Sequence, residues 1–354
     1  MATGGGDTDP RTTNGYAARQ LTDEELERLQ KDTSLVSDFK QTKLEKEAEK
    51  NWDLFYKRNT TKFFKDRHWT KREFEELVGS KQNGEKRKVV FEVGCGVGNF
   101  MFPLLEEDET KSLFIYACDF SKRAVQFVKD HASYDGSRCS AFHADITTSL
   151  SDNVPDNSVD IATMIFVLSA IHPDKMLQAL RNVLQTLKPG GTLLFRDYGL
   201  HDYAMLRFAP GHKLSDHFYV RQDGTRAFYF SLELLEELAR EAGFEVQQNQ
   251  YVHRETINKK EGICVPRIFV QAKFVKPHTN PAAKEEDLET LTSKLHSVHL
   301  KQDVGDCAKM SAVNNSCVSG NSDSHALKHT QEVDSGSDAK QPLQNSSGLA
   351  NDEG

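Results

Sequence analysis

The chain has 354 residues, 37% hydrophobic and 28% charged, with two Trp, nine Tyr and 21 Phe, which provides a core for one large or two ordinary domains and excludes fibrous classes. Its net charge of −8 is mostly local: residues 278–354 hold six Lys against 12 acids, so nucleic-acid binding is not excluded for the rest. The longest apolar run, IATMIFVLSAI at 161–171, has 11 residues, well short of the ~20 that cross a bilayer.

In chain order, MATGGGDTDPRTTNG has neither a signal-peptide apolar core nor an arginine-rich, acid-poor transit composition. A cytoplasmic address, with the nucleus also open, is the expectation. Residues 1–20 read as a disordered N-terminus. Residues 21–84 read as a helical extension, basic and aromatic in its second half. Thr22 and Glu25 have capping-box spacing, and charged helical sequence then runs over 22–57 with a break near Thr33–Phe39.

Residues 85–277 alternate strand and helix patterns: VVFEV, a glycine loop, a helix, LFIYACD, a helix from Ser121, AFHADI, VDIATMIFV, a helix and TLLFRDY. That alternation predicts an α/β doubly wound parallel sheet. Met176, Leu177, Leu180, Val183, Leu184 and Leu187 share one face of the fourth helix, which K-P-G-G at 188–191 is expected to end. After an insertion at 198–230 come a helix closing at Gly243 and two strands, FEVQQNQYVH and VPRIFVQAKFV. Alternation of Ile268, Val270, Ala272 and Phe274 suits a terminal antiparallel hairpin.

Residues 278–354 contain no aromatic side chain and read as a disordered acidic tail. Leu288, Leu291, Leu295 and Val298 have helical spacing there, fitting either a transient solvated helix or a short docking helix. The six cysteines lie far apart, with no C-x-x-C pair, and read as reduced thiols; no metal site is expected.

The sharpest motif is VFEVGCGVGNF at 90–100, an apolar strand opening into Gly94, Gly96 and Gly98 before a helix. Glycine lets the backbone turn tightly and approach a ligand closely. Asn99 occupies the third glycine position of a dinucleotide fingerprint, which disfavours a pyrophosphate. Asp119 and Asp145, ending the second and third strands, would accept two ribose hydroxyls and an adenine amine respectively. Ile146 and Ile165, at or just beyond strand ends, suit adenine contact or the core. Together these residues describe an adenosyl ligand, although each acid alone also occurs as an ordinary turn residue.

These residues, with LKPGG before the fifth strand and the terminal hairpin, resemble the class I S-adenosylmethionine-dependent methyltransferases, whose sheet is Rossmann-like. A closer resemblance covers most of residues 20–277. LVSDFKQTKLEKEAEKNWDLFYKRN (35–59), FFKDRHWTKREFEEL (63–77), IFVLSAIHPDKM (165–176), FRDYGLHDYAMLRF (195–208), FYVRQDGTRAFYF (218–230) and RETINKKEGICVPR (254–267) resemble the tRNA N3-methylcytidine methyltransferase family, most of all its serine-tRNA member. The resemblance implies S-adenosyl-L-methionine as cofactor, N3-methylcytidine formation in the anticodon loop of tRNA, serine tRNAs as substrate and seryl-tRNA synthetase as partner. It also implies cofactor contact for Trp52 and Tyr56, which stand four apart on one helix face and would otherwise simply pack that helix on the sheet.

Residues 57–72 carry seven Lys or Arg against one Asp, with Phe63, Phe64 and Trp69 interleaved. Arg58, Lys65 and Arg67 would neutralise RNA phosphates and the aromatics would stack on bases; a solvated face with core-anchored aromatics is the competing reading. Arg254, Lys259, Lys260, Arg267, Lys273 and Lys276 form a second basic cluster. The amino-methylating [DN]-P-P-[FY] signature is absent after strand four, where IFVLSA stands, as expected for a ring-nitrogen substrate. Asp197, at the end of strand five, would favour the cationic product ring electrostatically, with Arg196 as its partner or an RNA contact; a structural Arg–Asp pair is the alternative. A protein or small-molecule methyltransferase and a non-catalytic scaffold of the same fold also remain open.

Overall fold

The computed structural model of the chain describes residues 12–77, 87–258 and 263–278. The sheet begins with a short strand, β1 (Thr12–Gly15), followed by three helices, α1 (Asp23–Lys31), α2 (Asp38–Lys46) and α3 (Ala48–Asn59), and a single turn, α4 (Thr70–Glu73). The α1 capping box forms as expected: the Glu25 amide donates to the Thr22 hydroxyl at 3.2 Å and the Thr22 amide to the Glu25 carboxylate at 3.0 Å.

Alternating elements follow: β2 (Lys88–Val93), α5 (Met101–Glu106), β3 (Leu113–Asp119), α6 (Lys122–Lys129), β4 (Cys139–His143), β5 (Val159–Ile165), α7 (Pro173–Thr186) and β6 (Leu187–Tyr198). The 198–230 insertion folds into α8 (Tyr203–Leu206) and a small antiparallel sheet of β7 (Lys213–Ser215), β8 (Phe218–Val220) and β9 (Arg226–Phe228). The domain closes with α9 (Leu232–Ala242), capped by left-handed Gly243, and the hairpin β10 (Glu245–Asn258) and β11 (Ile263–Val275).

The main sheet runs β1-β10-β11-β6-β5-β2-β3-β4. Strands β2 to β6 are mutually parallel, and β11, β10 and β1 continue the sheet antiparallel. Strand order reverses at β2, which lies between β3 and β5. That switch point opens a crevice at the carboxyl ends of the strands, where open α/β sheets bind ligands. This is the class I, Rossmann-like architecture.

Both faces of the parallel strands are buried, hence their near-continuous apolar sequence. Phe91, Val93, Met164, Phe195 and the alternating Ile268, Val270, Ala272 and Phe274 join one core with α7 and α9; Val90, Ile115, Ile165 and Leu194 join the other with α5. The four described cysteines are free thiols. Among the described residues no helix is long and apolar enough to cross a membrane.

Two sequence expectations are corrected here. Thr12–Gly15 lies in the stretch expected to be disordered, yet it pairs with Tyr251–Arg254 of β10 and covers the ladder groups of an otherwise open edge. K-P-G-G does not cap α7: Leu187 ends the helix and starts β6, and the Gly190 amide donates to the Lys276 carbonyl, so this segment is already sheet. The expected tail, with its Leu288–Val298 helix, lies outside the described residues.

Candidate cofactor and substrate site

At the switch point β2 runs into the glycine loop. Gly94 and Gly96 hold positive φ of 67° and 54°. A Cβ on Gly94 would lie 2.4 Å from a Val167 methyl, so only glycine lets this loop pass beneath the β5 end. Asp119 fixes the loop from the next strand: its Oδ2 accepts from the Gly96 amide and its Oδ1 from the Ser121 amide, both at 2.8 Å. Asn99, at the missing third glycine, donates to the Phe64 carbonyl and to Asp66, tying the loop to the basic segment.

Helix α3 lies across the loop. Asp53 accepts from the Ser121 hydroxyl and from the Arg123 amide, Lys122 pairs with Glu49 at 3.0 Å, and Tyr56 is buried with Phe55, Val97 and Ala124. Trp52 and Tyr56 stand 6.2 Å apart at 33° on the face turned to the loop.

Between α3, the loop and the strand ends lies a cavity of about 400 Å3. All seven residues assigned to the cofactor (Trp52, Tyr56, Gly94, Asp119, Asp145, Ile146 and Ile165) line it. Asp145 stands two residues past β4, its Oδ1 accepting from the Thr147 amide and hydroxyl at 2.9 and 2.7 Å. Burial pushes the Asp119 carboxyl up to about 6, against the two amide bonds and the charge of His143.

The cavity also contains Glu92, which sequence reasoning passed over. It is 3% exposed, its Oε2 has no hydrogen-bond partner, and burial raises its pKa to about 8 despite the nearby Arg67. A carboxylate inside the apolar run VVFEV was the available signal, because a buried acid needs a partner. The groups fit S-adenosylmethionine: acids for ribose and adenine, two isoleucines beside them, and an orphaned carboxylate suited to the amino acid's ammonium.

The residues expected to meet RNA scatter. Arg67 lines the cavity, its guanidinium 5.7 Å from the Phe166 ring centroid and within 3.4 Å of the Ile165 carbonyl. Phe166 itself adopts a positive φ of 60°, an uncommon conformation for a bulky residue, immediately after β5. Arg58 is exposed and pairs with Asp223 at 3.6 Å, and Lys65 is exposed.

Asp197 and Arg196 are corrections. Neither lines the cavity, because neighbouring strand residues face opposite sides of a sheet that is buried on both. Asp197 is fully buried, accepting from the Ser169 and Tyr198 amides at 2.9 Å. Arg196 is 3% exposed, stacked between Trp69 and Phe269, with Gln271 at 3.1 Å and Glu73 at 3.9 Å. The pair holds the sheet rather than a substrate.

The aromatics of the first basic segment and three cations of the second are likewise spent on structure. Phe63 and Phe64 pack on Phe55, and Trp69 is in the core. In the second cluster Arg267 pairs with Asp202 at 3.0 Å, Lys273 with Glu76 at 2.7 Å, and Lys276 donates to the Leu184 and Leu187 carbonyls. Lys259 and Lys260 lie outside the described residues.

Comparison with known proteins follows the same lines. The methyltransferase domain family matches residues 90–191. The chain is 58% identical over 269 residues to the tRNA N(3)-cytidine methyltransferase METTL6 of Homo sapiens, covering 76% of this chain and 94% of that protein. It is 60% identical over 269 residues to METTL6 of Mus musculus, covering 76% and 95%. Over 249 residues it is 41% identical to the tRNA N(3)-methylcytidine methyltransferase Mettl2 of Drosophila melanogaster, covering 69% and 76%.

Proposed function

The chain belongs to the tRNA N(3)-cytidine methyltransferase family, and on that premise we propose that it methylates N3 of a cytidine in the anticodon loop of tRNA, with serine tRNAs as its substrates and seryl-tRNA synthetase as a recruiting partner. The observation that carries the reading is the cavity at the switch point, where Glu92, Asp119 and Asp145 converge beneath α3.

When bound, S-adenosylmethionine supplies a methyl group on a sulfonium, an electrophile that a neutral ring nitrogen attacks without prior deprotonation. No general base is therefore required, and the protein's work is orientation and exclusion of water. Asp119 and Asp145 would hold the adenosyl hydroxyls and amine, and Glu92 the ammonium. Trp52 and Tyr56 roof the site. The target base must leave its stack to reach the cavity, and Arg67 with Phe166 lines its wall. The cavity is open rather than plugged by side chains, which favours an enzyme over a scaffold.

The test is incubation of the purified protein with labelled S-adenosylmethionine and unmodified tRNA transcripts, with seryl-tRNA synthetase absent or present, followed by nucleoside mass spectrometry. Labelled N3-methylcytidine is expected in serine tRNA, more of it with the synthetase. Label in protein or in no cytidine would overturn the reading.

A further inference from the structure

With Arg196 buried, Arg67 turned into the cavity and Arg267, Lys273 and Lys276 engaged in the fold, the expected RNA surface loses several of its cations. Helix α2 offers others. Its inward side is set by Leu44, which packs on the core, by Gln41, which donates to the Val36 carbonyl, and by Glu45, which pairs with Arg226 and with Lys175. At 3.6 residues per turn, Phe39, Lys43 and Lys46 fall together on the opposite side, with Lys40 beside them. All four are exposed.

Phe39 is 83% exposed, the most exposed large hydrophobic side chain among the described residues. One exposed apolar side chain is ordinary. Here, however, it heads a line of cations: Lys40, Lys43 and Lys46 form no ion pair with any acid among the described residues. Lys46, about 10 Å along the axis from Phe39 at the helical rise per residue, lies on the rim of the cofactor cavity. The stripe thus runs from an exposed aromatic, past unpaired ammonium groups, to the mouth of the site.

We propose that this face of α2 carries the unpaired RNA strand flanking the target cytidine, its phosphates on Lys40, Lys43 and Lys46 and one base stacked on Phe39. This rests on the reading of the chain as a tRNA methyltransferase and names the surface that delivers its substrate. Positive charge without acidic partners suits a phosphate backbone, and an exposed aromatic suits a base already out of a helix. The opposite, inward side of α2 is fixed by the Glu45 ion pairs, so the face is presented in one orientation.

The test compares wild type with Phe39→Ala and with the Lys40→Gln/Lys43→Gln double variant, none of which touches the cavity. Binding of an unmodified serine-tRNA transcript is measured over a salt series, and S-adenosylmethionine binding by calorimetry. The double variant should flatten the log–log salt slope by about 1.4 units, at ~0.7 per phosphate contact on a single strand. Phe39→Ala should weaken tRNA binding by roughly 5-fold or more at every salt concentration without altering the slope. Cofactor affinity should stay within twofold in both.

Folded variants that bind tRNA with wild-type affinity and slope would overturn the proposal and leave the face to a protein partner or to solvent. Methyl transfer is scored separately. A wild-type protein that binds tRNA through this face yet forms no N3-methylcytidine would sink the functional reading and uphold the surface, and the converse result would do the reverse.

Discussion

A β-carbon placed on Gly96 would stand 3.0 Å from the hydroxyl of Tyr56. The glycine loop and the N-terminal extension therefore meet atom on atom, and the roof of the site is seated directly on the backbone beneath it. Gly96 is also left-handed, at a φ of 54°.

Gly96→Ala should cost about 1–2 kcal/mol in backbone strain alone, and it should also lift Tyr56. S-adenosylmethionine affinity is expected to fall by about tenfold. Tyr56→Phe removes the clashing oxygen, leaving the next ring atom 3.8 Å away. In the double variant it should recover part of the loss but not the strain. Calorimetry on the four proteins of this cycle measures the coupling, and additive losses would show that the contact does not matter.

Asp119 anchors the loop through two amides and presents its carboxylate to the cavity. Asp119→Ala should weaken cofactor binding by roughly 2–4 kcal/mol, the worth of one or two charge-assisted hydrogen bonds. Its carboxyl titrates near 6 because burial disfavours the charge, so wild-type affinity should decline as pH falls through that value and Asp119→Asn should lose this dependence. Affinity within threefold of wild type in folded Asp119→Ala would exclude the ribose role.

The parallel sheet was legible because buried strands write continuous apolar runs, and the cofactor acids because they stand at or just beyond the ends of those runs. What local pattern does not carry is pairing across long separations. Arg267 finds Asp202, 65 residues away, and Lys273 finds Glu76, so lysines and arginines that look like a basic patch in sequence are neutralised in the fold. Strand β1 escaped for the opposite reason: TTNG has no hydrophobic alternation, and only the open edge of β10 orders it. Arg196 and Asp197 sat at a strand end like Asp119, but the continued sheet, β11 and the layer beyond it, buries both.

Asp197 separates a structural role from a catalytic one. Its oxygens accept the Ser169 and Tyr198 amides in a fully buried setting, fixing the turn after β5. Asp197→Asn places an NH2 group against one of those donors and should destabilise the fold by about 1–3 kcal/mol. Below its melting point the variant should keep kcat within a few-fold. A loss of kcat by orders of magnitude, with stability unchanged, would return Asp197 to catalysis.

In the folded, cofactor-free chain burial raises the pKa of Glu92 from 4.5 to about 8. Its contribution to stability is therefore complete below the unfolded value and is lost as pH rises through the folded one. Between the two values the folded state holds a proton that the unfolded state has released, so stability should fall by up to about 1.4 kcal/mol per pH unit. Glu92→Gln removes the ionisation, and its melting temperature should exceed that of wild type by a margin that widens with pH across this window. Asp119 shifts in the same direction and its charge helps to raise Glu92, so the difference between the two proteins reads Glu92 together with that coupling. Binding of S-adenosylmethionine should reverse the order: its ammonium stabilises the carboxylate, wild type should release a proton on binding near neutral pH, and Glu92→Gln should bind more weakly and without that release. Calorimetry in buffers of different ionisation enthalpy reads the proton directly. A stability difference that is flat with pH, together with no proton release, would mean that Glu92 is already ionised and compensated in the folded protein.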